Sequence, residues 1–183
     1  MITTTKRTFA AVSLTLALAA ACRSEPESSS QPPSVAPANP QDAFVDLDGF
    51  RYRKVPEQVR EQMEAQLTAN PQARQVLVGF DARFAVAGKR TTVLIFAMAV
   101  DPEAASNPFF TEGVFVGFEQ GFGGELSGEE ISGQKVRVGT PPQGGGAAIL
   151  WQRGALIVGV FGDKEDAVRD VTTQVIEGMG SSA

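Results

Sequence analysis

Ala147-Ala148-Ile149-Leu150-Trp151, Gln152-Arg153-Gly154 and Ala155-Leu156-Ile157-Val158-Gly159-Val160-Phe161 make up the stretch that decides the fold. Two apolar runs flank a short polar segment ending in glycine, which is the pattern of a β-hairpin. In the second run Leu156, Val158 and Val160 alternate with Ile157, Gly159 and Phe161, so both faces are apolar. A strand of that kind belongs in the middle of a sheet. After it the period lengthens. Asp163 is placed as a helix cap with Asp166 three residues on, and Ala167, Val168, Val171, Val175 and Met179 recur as one stripe. Gly178 and Gly180 are expected to end that helix. The unit is architecture and carries no chemistry.

Working outward, Gly49 to Val55 alternates aromatic with basic residues and reads as a short strand. Pro56 suits a first helical position, and Val59, Met63 and Leu67 recur every four residues until Asn70-Pro71 stops the helix. From Val76 the period is two: Val76, Val78, Phe80, Ala82, Phe84 and Val86 share a face, which reads as a long strand, with a helix running on from Pro71 into its first few residues as the alternative. Thr91 to Val100 is apolar on both faces and predicts a central strand. Asn107-Pro108 then opens an ambiguous segment. As a helix it aligns Phe110, Val114, Phe118 and Phe122; as a strand it aligns Val114, Val116 and Phe118. The cap and the four-residue spacing favour helix. Glu125 to Ser132 reads as an acidic loop, Gln134 to Gly139 as an edge strand and Pro141 to Gly146 as a loop. The expected fold is α+β: one domain over residues 43–180, an antiparallel sheet of about five strands with helices packed on it, as a two-layer sandwich.

The amino terminus carries a more specific signal. Lys6 and Arg7 precede an apolar run, Ala10 to Ala21, too short to span a bilayer, and the run ends in Leu18-Ala19-Ala20-Ala21-Cys22. This arrangement resembles the signal peptide of a bacterial lipoprotein, with Ala19 standing where leucine is preferred. The resemblance covers residues 1–22. It implies removal of residues 1–21, palmitate and other acyl chains on Cys22, and anchoring to the outer face of the cytoplasmic membrane or to the outer membrane. Ala19-Ala20-Ala21 also fits an ordinary A-x-A secretory cleavage site. Cys22 is the only cysteine, and a lone free thiol is out of place in an oxidising compartment, which favours lipidation. Residues 22–42 are rich in Pro and Ser and poor in apolar side chains, so they read as a disordered linker.

Composition excludes whole classes of function. The chain has no histidine, which removes Ser-His-Asp and Cys-His nucleophile systems, and its net charge of -5 suits no nucleic acid. No catalytic residue, metal site or cofactor is expected. Gly144-Gly145-Gly146 and Gly121-Phe122-Gly123-Gly124 complete no phosphate-binding motif, and Glu125, Glu129 and Glu130 lack the spacing of a calcium loop. Three groups remain as candidate ligand or partner surfaces. Arg51 and Arg53, with Lys54, suit an anionic lipid head group or envelope polymer. Trp151 suits a ligand platform or a buried hairpin anchor. Phe110, Phe118 and Phe122, with Phe109 and Phe115, suit an apolar pocket or simply the core. The expected function is a non-enzymatic binding or structural role towards a protein or another envelope component, at a membrane reached through the N-terminal lipid. A carrier or sensor of a small apolar ligand in a Phe-lined pocket is the alternative. Residues 43–100 hold eight basic and six acidic side chains, net +2, and residues 101–183 hold five and twelve, net -7. If the two halves lie on opposite sides, a charge-steered interface is favoured over a closed pocket.

Overall fold

A computed structural model describes residues 37–69, 71–88, 90–122, 124–140 and 146–180. The signal peptide, Cys22, the linker up to residue 36 and Gly144-Gly145 lie outside the described residues. The elements follow as β1 (Arg51–Lys54), α1 (Glu57–Leu67), α2 (Pro71–Val76), β2 (Leu77–Ala87), β3 (Thr91–Val100), α3 (Pro102–Ala105), α4 (Pro108–Phe122), β4 (Leu126–Ile131), β5 (Gln134–Gly139), β6 (Ala147–Arg153), β7 (Leu156–Gly162) and α5 (Glu165–Gly180). The strands make one sheet in the order β1-β2-β3-β7-β6-β5-β4, and every pairing is antiparallel. Two meanders therefore meet at the β3–β7 seam. The helix α4 carries the chain from the centre of the sheet to its far edge.

The α+β class and the antiparallel sheet agree with expectation, and the segment from Pro108 is a helix. The sheet has seven strands rather than about five, and its layers number three rather than two. Ser132 (φ 47°) and Gly133 (φ 77°) account for the strand that the acidic-loop reading lacked. Two consecutive left-handed residues make a tight two-residue hairpin, so the chain from Leu126 to Ile131 pairs with Gln134 to Gly139. Glu129 and Glu130 stand exposed along the resulting edge, where charge discourages further pairing. The third layer follows from β7 being apolar on both faces. On one side Val168, Val171, Val175 and Ile176 of α5 cover Ile95, Ile149, Trp151, Val158 and Val160. On the other, Val114 and Phe118 of α4 and Leu67 of α1 cover Phe96, Met98, Leu150 and Ile157. Each fully buried aliphatic side chain contributes about 1.5–3 kcal/mol, so neither face of the centre can be left wet. Thr172, the one buried polar residue among those described, donates its hydroxyl to the Val168 carbonyl at 2.7 Å within α5.

The packed unit starts earlier than residue 43. Ala43 is fully buried in a 3-10 turn, Pro40–Ala43, and Ala38, Phe44, Val45 and Leu47 pack on the α5 side of the sheet. Gln41 donates to Asp81 at 2.7 Å and accepts from Arg83, tying this arm to β2. The arm meets α5 at Gly178, where an added Cβ would lie 2.8 Å from the Val45 side chain. The helix runs through Gly178 and ends at Gly180, the second of the two glycines expected to stop it.

Tyr52 fastens the arm to β1: its hydroxyl donates to the Val45 carbonyl at 2.9 Å, and its ring meets Phe44 edge-on at 5.9 Å. Burial pushes the phenol up to about 12, against the pull of Arg83. A raised acid favours the neutral, folded form. This contribution is present in full below the unfolded tyrosine value of about 10 and is lost as pH rises through about 12. Tyr52 is the only tyrosine, so phenolate absorbance reads it directly. Its titration should run late in the folded protein and at the ordinary value in urea. Tyr52→Phe should remove that part of the alkaline loss of stability and cost about 1 kcal/mol at neutral pH.

Candidate functional site

The residues singled out in the sequence do not converge. Trp151 is 1% exposed beneath α5, and Phe118 is 2% exposed on the opposite face of the sheet. Trp151 is therefore a core anchor and no surface platform. Phe118 stacks on Phe96 at 5.4 Å, and Phe96 stacks in turn on Phe161 at 5.4 Å. Phe110 is partly buried in the same cluster, whereas Phe109 is 82% exposed. The side chain of Phe122 lies outside the described residues. Where α1, α2 and α4 converge, Leu67, Leu77, Met98, Phe110 and Val114 line a half-open gap of about 30 Å³. That holds a water-sized molecule, roughly a tenth of the volume at which ligand pockets begin. The phenylalanines fill the core.

Arg51 and Arg53 lead somewhere else. On the edge strand β1 they stand directly opposite Val86 and Phe84 of β2, and Val86 stands opposite Thr92 of β3. Cross-strand partners share a face, so these side chains form one patch on the α4 side of the sheet. The helix α4 covers the middle of that face and leaves this corner open. Arg53, Phe84, Val86, Gly88 and Thr92 line a shallow depression of about 340 Å³. The described lining residues supply a guanidinium, a hydroxyl and two apolar side chains, and none of them is a carboxylate. Arg51 sits beside it, and Arg90 lies in the β2–β3 hairpin at the same end.

Three arginines elsewhere are held in ion pairs, and the cations of this margin are not. Arg83 is committed to the fold: it pairs with Asp81 at 3.3 Å and lies over the Phe44 ring at 4.2 Å. Arg137 pairs with Glu112 at 3.0 Å. Arg169 grips both oxygens of Glu129 at 2.7 and 3.1 Å and reaches Glu165 at 2.9 Å, which holds the Glu129 carboxyl below its ordinary range. Arg51, Arg53, Lys54 and Arg90 are exposed and make no ion pair or side-chain hydrogen bond among the described residues. Strand order also separates the halves of the chain. The strands of residues 43–100 lie on one side of the β3–β7 seam, and those of residues 101–183 on the other. In β1, β2, β3 and the β2–β3 turn, six basic residues face Asp81 as the only acid.

Sequence reasoning found Arg51 and Arg53 and missed Phe84, Val86 and Thr92. Their alternation was visible, but which strand lay beside β1, and where the covering helix stopped, depend on register. Among the described residues no group of three His, Cys, Asp or Glu side chains comes together to hold a metal ion. None of the described helices is long and apolar enough to cross a membrane. Set against protein-family models, curated proteins and solved structures, the chain matches none.

Proposed function

We propose that this is a non-enzymatic binding domain, held at the outer face of a membrane by lipid on Cys22, that engages an anionic envelope component through the β1 margin. The observation that carries the reading is the gathering of Arg51, Arg53, Lys54 and Arg90 at one edge, exposed and, among the described residues, without acidic partners, on a chain of net charge -5. Exposed cations held apart from the acidic half steer an anionic partner and exclude basic ones. The half-open gap of about 30 Å³ beside α4 leaves the apolar-carrier reading little room in this conformation.

Two measurements test the two parts separately. Cells fed a palmitate analogue should label the parent and not Cys22→Ser, and the variant should be released from the membrane. Equal labelling and equal retention would remove the anchor. In-cell cross-linking should join the parent to one neighbour, with the yield falling as salt rises in membrane preparations. Arg51→Glu with Arg53→Glu should abolish that product without changing the thermal midpoint. A product indifferent to both salt and charge reversal would sink the interface.

A further inference from the structure

We infer that the depression at the β1–β2–β3 corner is a site for one anionic amphiphile, its phosphate or carboxylate head on Arg53 and its hydrocarbon on Phe84 and Val86. This inference rests on reading the β1 margin as the recognition surface and names what the margin holds. Three features of the corner point to that class of ligand. The first is size: about 340 Å³ is at the lower end for small-molecule sites, and protein interfaces spread over roughly 800 Å² on each side instead. The second is the lining, which pairs a cation and a hydroxyl with two apolar side chains and has no carboxylate among its described residues. A free inorganic anion would leave Phe84 and Val86 unused, and an alcohol or alkane would leave Arg53 without a partner. The third is the order of these groups across the sheet. Arg53 stands on the open edge opposite Phe84, and Val86 lies between Arg51 and Thr92. A head group at the edge therefore meets guanidinium donors while its chain runs inward over the apolar row. Arg53 is exposed and has no competing ion pair among the described residues, so none of those contacts must break on binding.

The test is titration calorimetry on the full chain carrying Cys22→Ser, with decyl phosphate below its micelle concentration. Inorganic phosphate, decanol and polyglutamate run alongside. Decyl phosphate should bind at one site, while inorganic phosphate and decanol bind at least about tenfold more weakly, since each lacks one half of the contact. Arg53→Gln should weaken decyl phosphate about tenfold, and Val86→Ser severalfold, with both thermal midpoints unchanged. Inorganic phosphate binding as tightly as decyl phosphate would overturn the inference, as would binding indifferent to both substitutions. Failure of decyl phosphate with salt-sensitive polyglutamate binding would overturn it and leave the anionic-partner reading standing. Failure of both would remove the two together.

Discussion

Trp151→Ala should lower stability by about 3–5 kcal/mol, a large share of the roughly 5–15 kcal/mol that holds a domain together. The ring is 1% exposed on β6, lying opposite Val158 of β7 and beneath the apolar stripe of α5. Truncation opens a cavity at a place where the flanking strands are paired on both sides and cannot close in. The indole brings its own penalty, because Nε1 is buried without a hydrogen-bond partner among the described residues. An unpaired buried donor costs about 1–3 kcal/mol. Trp151→Phe keeps much of the volume and discards that donor, so it should cost well under half as much as the alanine variant. Urea unfolding followed by circular dichroism measures both. An alanine variant within a few tenths of the parent would mean that the ring is not where the structure places it.

Gly159→Val is expected to be nearly as damaging, by the opposite route. A Cβ at this position would lie 2.3 and 2.4 Å from two atoms of the Phe96 ring and 2.9 Å from the Phe161 ring. Phe96 cannot yield, because it is stacked on Phe118 and Phe161 and abuts Phe80 at 6.4 Å. Overpacking a rigid core costs typically 1–3 kcal/mol and occasionally more; about 3 kcal/mol is expected for valine, and somewhat less for Gly159→Ala. Shrinking the obstacle should relieve the clash. In a Phe96→Leu background Gly159→Ala should cost less than half of what it does alone, a coupling that a double-mutant cycle reads directly. Additive effects would refute the packing account.

Much of this architecture is legible in residues that answer to local rules. Thr91 to Val100 and the hairpin around Trp151 declare strands through apolar, β-branched runs, and Asn107-Pro108 declares a helix start whatever the rest of the chain does. The strand Leu126–Ile131 was hidden because its acidic side chains sit on an exposed edge and lack an apolar face. Its signal was the Ser132-Gly133 pair, a turn dipeptide followed by a strand already recognised. Val78, 68% exposed in a strand face otherwise apolar, belongs to a shift in register between Leu77 and Gly79. A bulge re-aims one side chain, and nothing in the alternation announces it.

The sequence by itself determined the antiparallel α+β class, the central place of Thr91 to Val100 and Leu156 to Phe161, the closing amphipathic helix and the absence of histidine chemistry. Each follows from properties of neighbours in the chain: periodicity, caps and composition. Only the tertiary structure decided that helices cover both faces, that Trp151 and Phe118 lie on opposite sides, and that Arg51 and Arg53 stand beside Phe84 and Val86. Those outcomes depend on which strands pair and in what register. Pairing energy comes from cross-strand neighbours and from area buried between elements far apart in sequence, and a strand apolar on both faces is compatible with several such arrangements until packing selects one.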